Sequence, residues 1–262
     1  MKVLFIVMVL FLGGCKNLKP ADCPESKAAG KSSVDLNFDG GTLEGWGHHF
    51  SHEEAAKVVE DPLNKDNMVV RFKLEEGEIY TTRSGASYRS ELYERYKAPI
   101  KVDIRYSFRV YIGDEWENDD IRALIAQWHG SPDLHLGEVY RSPNLGIEYR
   151  DDKFLIRMNT SKVRVNRDNK KSIDRRTLYL SEVVEKNRWY EFVVDVRWTH
   201  EDDGYFDIWI EGKKVVEYRG GTAYNDCIGP YFKMGIYRDD TPKTFVIYHD
   251  DYKREIVEYR GE

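Results

Sequence analysis

From Lys101 to Ile112 the chain reads KVDIRYSFRVYI. Val102, Ile104, Tyr106, Phe108, Val110 and Ile112 fall on one parity, and Lys101, Asp103, Arg105, Ser107, Arg109 and Tyr111 on the other. A period of two sends successive side chains to opposite faces, so this stretch predicts a half-buried β-strand. WYEFVVDVRW repeats the pattern with Tyr190, Phe192, Val194, Val196 and Trp198 in phase. GIEYRDDKFLIRMN breaks at Arg150-Asp151-Asp152 and GYFDIWIEGKKVVEY at Glu211-Gly212, which are hairpin signals. TFVIYHDDYKREIVEY supplies late strands, and helical spacing is confined to a turn around HEEAAKVVE. Many strands joined by turns, with no internal repeat, predict an all-β chain folded as one antiparallel β-sandwich or jelly roll.

The N-terminus breaks this pattern. MKVLFIVMVLFLGGC places one lysine before an apolar run from Val3 to Leu12 and then small residues. That run is too short to span a bilayer and has the layout of a secretion signal. Its ending, Leu12-Gly13-Gly14-Cys15, resembles the bacterial lipobox. The resemblance implies removal of residues 1–14, lipidation of Cys15, and a protein held in the bacterial cell envelope by a lipid anchor rather than by a span. Residues 15–33 are polar and predict a flexible tether, leaving residues 34–262 as the folded domain. Export permits a disulfide, but two cysteines, Cys23 and Cys227, are too few to define a framework, and their pairing stays open.

Across 262 residues, 41% hydrophobic and 33% charged, there is enough apolar material for a sizeable core. The formal net charge of −6 argues against a nucleic-acid partner. Residues 162–176 nonetheless concentrate Lys162, Arg164, Arg167, Lys170, Lys171, Arg175 and Arg176. They read either as a solvated loop or as a grip on an anionic polymer.

Three strand-like stretches carry reactive side chains two residues apart, which places them on one sheet face. YRSELYER sets Arg89, Glu91, Tyr93 and Arg95 in phase. ALIAQWHG sets Gln127 and His129 opposite Leu124, Ala126 and Trp128. YFKMGIYR sets Tyr231, Lys233 and Tyr237 opposite Phe232, Met234 and Ile236. Taken singly, each reads as an ion-pair ladder, a surface hydrogen bond or aromatic packing. On one concave sheet they would supply donors for a carboxylate, a base near neutral pH and a phenol that can give a proton. Those are the needs of β-elimination at a uronic acid, where the C5 proton leaves and the C4–oxygen bond breaks. Donors must neutralise the carboxylate and stabilise the enolate-like intermediate.

In order along the chain, Arg89-Ser90-Glu91-Leu92, Gln127-Trp128-His129 and Tyr231 through Tyr237 resemble the R-x-E-L, Q-x-H and Y-F-K-x-G-x-Y motifs of jelly-roll polysaccharide lyases. That group includes family seven alginate lyases, glucuronan lyases and heparin lyase I-like proteins. The flanking AQWHGSPDLHLGE and WIEGKKVVEYRGGTAYNDCIGPYFKMGIYR look closest to the heparin lyase I-like branch. The resemblance implies a concanavalin-like jelly roll with a concave substrate-binding sheet and an anionic polysaccharide as substrate. It places Arg89, Gln127 and His129 around the substrate carboxylate, with Tyr237 protonating the leaving oxygen. Glu91 would hold Arg89, Lys233 would add positive potential, and Tyr231 and Arg238 would contact substrate. Trp128 stands where alginate lyases carry Ile or Val, and Arg238-Asp239 where they carry Asn-Gln, which steers the expectation away from alginate.

Two rival functions find less support in the sequence. A glycoside hydrolase needs two carboxyl groups flanking the bond, and the acidic runs Glu115–Asp120 and Asp202-Asp203 read as solvated turns. A non-catalytic glycan-binding lipoprotein on the same fold would lean on tryptophans such as Trp46, Trp116 and Trp209. No cofactor is required for the elimination. No metal-ligand spacing appears, His48, His49 and His52 read as surface residues, and a structural calcium in a loop is left open.

Overall fold

The computed structural model describes Cys23 and residues 33–83 and 85–257. The expected signal, Cys15 and most of the expected tether therefore lie outside the described residues. Among those residues, two eight-stranded sheets form a sandwich. One sheet contains β1 (Val34–Leu36), β3 (Ala56–Glu60), β4 (Met68–Leu74), β7 (Asp103–Ile112), β12 (Arg188–Arg197), β13 (Tyr205–Ile210), β14 (Lys213–Arg219) and β16 (Phe245–Ile256). They run in the order β14-β13-β12-β7-β16-β4-β3, with β1 added to β16. The other contains β2 (Gly47–His49), β5 (Tyr80–Thr82), β6 (Gly85–Tyr93), β8 (Ala123–Ser131), β9 (Leu145–Arg150), β10 (Lys153–Thr160), β11 (Asp174–Leu180) and β15 (Ile228–Arg238). Its order is β11-β10-β9-β8-β15-β6-β2, with β5 on β6. The strand pairs are antiparallel, both between successive strands, as β12 and β13, and between strands remote in sequence, as β15 and its neighbours β6 and β8.

The alternation locates the core. Ile104, Tyr106, Phe108, Val110 and Ile112 of β7 are buried, as are Tyr190, Phe192, Val194 and Val196 of β12. They meet Trp128 of β8 and Phe232 of β15 from the other sheet in one continuous cluster. Phe108 and Phe192 stack with centroids 5.4 Å apart, and Phe232 stacks on Tyr252 at 4.7 Å. Full burial of each such side chain contributes roughly 1.5–3 kcal/mol. Both predicted hairpins close on residue pairs with positive φ: Asp151 at 50° and Asp152 at 54°, Glu211 at 51° and Gly212 at 72°. That conformation matches the right-handed strand twist. The turn in HEEAAKVVE is one 3-10 turn, Glu53–Ala55, after which the chain extends into β3.

Two features depart from simple alternation and set the site. A bulge between Leu124 and Ala126 in the pairing with β9 turns Ile125 into the core and leaves Leu124 facing outward beside Gly146. The expected inward Leu124 is thus corrected, because one extra residue reverses the parity before it. On β15 the matching irregularity lies between Met234 and Tyr237, at Gly235. Gly235 has φ +119°, and a Cβ there would sit 2.3 Å from the Ser90 carbonyl oxygen, so only glycine fits. Cys23 and Cys227 are bonded, which settles the open pairing and ties the segment before β1 to the loop that leads into β15.

Candidate active site

The strand order places β15 between β8 and β6, with β2 beyond β6. Register then brings distant stretches together. Tyr231 lies opposite His129, Lys233 opposite Gln127 and Tyr93, Tyr237 opposite Arg89, and His49 opposite Glu91. Above them is a groove of about 480 Å³, lined by His49, Arg89, Gln127, His129, Tyr231, Lys233 and Tyr237. The β5–β6 hairpin supplies Thr82 and Arg83 to it, and loops supply Tyr140 and Asn169.

The floor is a buried charge network. Lys233 is 1% exposed and Glu91 2%. Lys233 Nζ donates to Glu91 Oε2 at 2.5 Å, Arg89 Nη1 donates to the same oxygen at 3.4 Å, and Gln127 Nε2 donates to Oε1. Burial pushes the Glu91 carboxyl up, but the charges of Lys233 and Arg89 outweigh it and hold the group below its ordinary range. An ionised carboxylate only accepts, so the amide nitrogen of Gln127 must be the end that faces it. Buried ion pairs of this kind are weak sources of stability. What this one accomplishes is orientation, because Glu91 fixes Arg89, Gln127 and Lys233 at once. Arg89 Nε is held by Ser87 Oγ at 2.6 Å, and its guanidinium lies 4.5 Å from the centre of the Tyr237 ring. Arg122 sits 5.1 Å from the same ring centre.

His129 is set by its backbone neighbour. Nδ1 lies 2.8 Å from the Gly130 carbonyl oxygen, which can only accept, so Nδ1 carries the proton and Nε2 keeps a lone pair. Burial and then the Lys233 charge lower its pKa to about 4, so the ring is neutral at pH 7. His49 is lowered to about 4 by the same two causes and packs 4.7 Å from the Tyr93 ring. Tyr231 lies 5.8 Å from the His129 ring, and burial pushes its phenol up, so it stays protonated. Lys97, lowered to about 7 by burial and then by Lys233, places its ammonium 3.0 Å from the centre of the Tyr231 ring. The arrangement holds a neutral imidazole, a phenol and fixed cations around one space. That is what proton abstraction beside a carboxylate needs.

The model of a family described as polysaccharide lyase matches residues 38–253. The chain belongs to that polysaccharide lyase family. No curated protein matches it in sequence. Among solved structures it is similar to endo-beta-1,4-glucuronan lyase from the fungus Trichoderma reesei, with a TM-score of 0.70 and 19% identity over 87% of this chain and 96% of that one. Alginate lyase A1-II', a member of polysaccharide lyase family-7, gives 0.58 and 13% over 83% and 96%. Alginate lyase vAL-1 from Chlorella virus gives 0.57 and 12% over 86% and 99%. At these identities the likeness shows a shared jelly-roll fold.

Of the residues predicted for the site, the lyase brings together Arg89, Glu91, Gln127, His129, Tyr231, Lys233 and Tyr237, with Glu91 buried in the floor rather than lining the groove. Arg238 is the exception. It is 1% exposed, lies 5.0 Å from the Phe245 ring centre and donates to the Thr241 and Glu75 carbonyls. One residue beyond Tyr237, it takes the opposite face of the strand. Trp128 is likewise wholly buried. Trp128 and Arg238 therefore face the interior and cannot read the sugar, whereas Asp239 is exposed and pairs with Arg122 at the edge of the groove. His49 was read as a surface residue and instead lines the groove. Its strand is only three residues long, too short for any period to show. Arg122, Tyr140 and Asn169 reach the groove from flanking positions whose neighbours in space are remote in sequence. Among the described residues no group of three or more His, Cys, Asp or Glu side chains is placed to hold a metal ion.

Proposed function

We propose that the lyase cleaves a uronate-containing anionic polysaccharide by β-elimination, with the residues around Tyr237 as its catalytic centre. The observation that carries this reading is the neutral His129, its proton fixed on Nδ1, in one groove with the Arg89–Tyr237 pair. Arg89 and the second N–H of Gln127 receive the substrate carboxylate, and the cationic floor favours the charge that spreads onto it when the C5 proton leaves. Electrons from the C5–H bond form the C4–C5 double bond as the C4–oxygen bond breaks. Tyr237 gives its proton to the departing oxygen.

The sugar decides the base. Where the C5 hydrogen and C4 oxygen lie on opposite sides of the ring, His129 Nε2 takes the proton and Tyr237 gives one. Where they lie on the same side, as in glucuronate or mannuronate, Tyr237 serves both steps, with the Arg89 guanidinium 4.5 Å from its ring centre. The glucuronan lyase and alginate lyases of like fold support a uronate polymer. The test is to offer glucuronan, alginate, heparan sulfate, hyaluronan and ulvan and weigh the products. Elimination gives a new end lighter by one water than hydrolysis does. Hydrolytic masses would overturn the proposal.

We also propose that residues 1–14 direct export and that a lipid on Cys15 anchors the enzyme in the bacterial cell envelope. The support is the sequence pattern alone. In cells fed labelled fatty acid, label on the wild type and its loss in Cys15→Ser is the expected result. An unlabelled, fully released wild type would contradict it.

A further inference from the structure

Beside the catalytic groove, on the same sheet, is a second cavity of about 270 Å³. The two share Arg122, Ser142 and Pro143, so a chain lying in one continues into the other. Its floor is Glu148 of β9. Leu124 pairs with Tyr237 on one side and Glu148 on the other, which puts Glu148 two strand spacings, about 10 Å, from Tyr237. Four arginines, Arg122, Arg157, Arg175 and Arg176, line the cavity. Arg157 Nη1 is 3.6 Å from Glu148 Oε1, Arg122 pairs with Asp239, and Arg175 donates to the Asn169 carbonyl.

Two polar atoms here lack the partner that burial demands. Glu148 is 3% exposed and its Oε2 has no hydrogen-bond partner, and Arg122 Nε is buried without one. One is an acceptor and the other a donor. A sugar hydroxyl, which donates and accepts at once, answers both. The guanidinium groups answer an anionic substituent beside it.

We propose that this cavity is a second sugar subsite. Glu148 and Arg122 bind a hydroxyl of an acidic sugar one side of the cleaved bond, and Arg157 and Arg175 bind that sugar's carboxylate or sulfate. The inference rests on the lyase reading of the adjoining groove and adds a substrate requirement to it: a second anionic sugar within reach. Burial pushes the Glu148 carboxyl up, against the pull of Arg157, Arg150 and Arg122, as expected for an acid held dry until a ligand reaches it.

The test uses Tyr237→Phe protein, expected to turn chains over far more slowly than the wild type, and calorimetric titration with oligosaccharides of increasing length from glucuronan and from heparan sulfate. Affinity should step up by about tenfold or more at the length that first reaches the cavity, as for a charge-assisted contact. Adding Arg157→Ala should abolish most of that step, Glu148→Ala should reduce it, and Arg157→Lys should restore part of it. Arg157 has 44% of its side chain exposed, so its removal leaves the core intact should Glu148→Ala fail to fold. A step with both oligosaccharide series identifies the carboxylate as the anion held, and a step with heparan sulfate alone identifies the sulfate. A step that persists undiminished without Arg157 and Glu148 overturns the subsite and leaves the lyase reading standing. Binding of no uronate chain, by a wild type that turns over none, removes both.

Discussion

His129 keeps its lone pair on Nε2 because the Gly130 carbonyl holds the Nδ1 proton, and burial keeps the ring neutral well below the usual histidine range. A base is active when unprotonated, so a rate that depends on His129 falls only as pH drops through about 4, not through 6.5. The expected kcat/KM profile on a substrate that needs His129 as base is flat from pH 7 to 5. An acid limb near 6.5 would mean that the ring is wetter than the structure places it. His249 extends the same logic to stability. Burial lowers it to about 3, so between 6.5 and 3 the unfolded chain binds a proton that the folded one does not. Stability present above pH 6.5 is lost as pH falls through that window, by up to about 1.4 kcal/mol per pH unit from this residue. Denaturant melts of His249→Phe should show a shallower loss between pH 6 and 4 than the wild type. At this scale the sequence revealed residue types and parity. Arg238 could have been excluded by parity alone, since it is one residue from Tyr237. His49 could not have been found, because three residues carry no period.

On β15 the alternation of Phe232, Met234 and Ile236 with Tyr231, Lys233 and Tyr237 was legible, and all three apolar side chains are buried. The bulge was not, although Gly235 marked its place. Gly235→Ala sets a Cβ against the Ser90 carbonyl oxygen at a backbone conformation that alanine resists. A loss of about 2 kcal/mol or more in chemical denaturation is expected, with reduced activity from the displaced Arg89–Tyr237 pair. An unchanged midpoint would show that β15 accommodates the methyl group. On β8 the same kind of irregularity misdirected Leu124, because periodicity has no means of announcing an inserted residue.

At the scale of the molecule, the site exists because β2, β6, β8 and β15 are neighbours in space although not in sequence. The all-β class and both hairpins could be read from pattern, whereas strand order could not, since it follows from how two sheets share one core. The resemblance supplied what periodicity lacked, by naming three stretches that belong together. The basic segment 162–176 divides between its two readings. Lys162, Arg164 and Arg176 pair with Asp202, Asp133 and Asp174, while Asn169, Arg175 and Arg176 reach the two cavities. Elimination in this groove runs through Tyr237 in the proposed function. The direct measurement is the ultraviolet absorbance of the unsaturated uronate as purified wild type and Tyr237→Phe act on the polymer that the wild type cleaves. A steady rise is expected for the wild type and a rate lower by about 10²–10⁴ for Tyr237→Phe, with the fold intact. Equal rates from the two proteins would contradict that role of Tyr237.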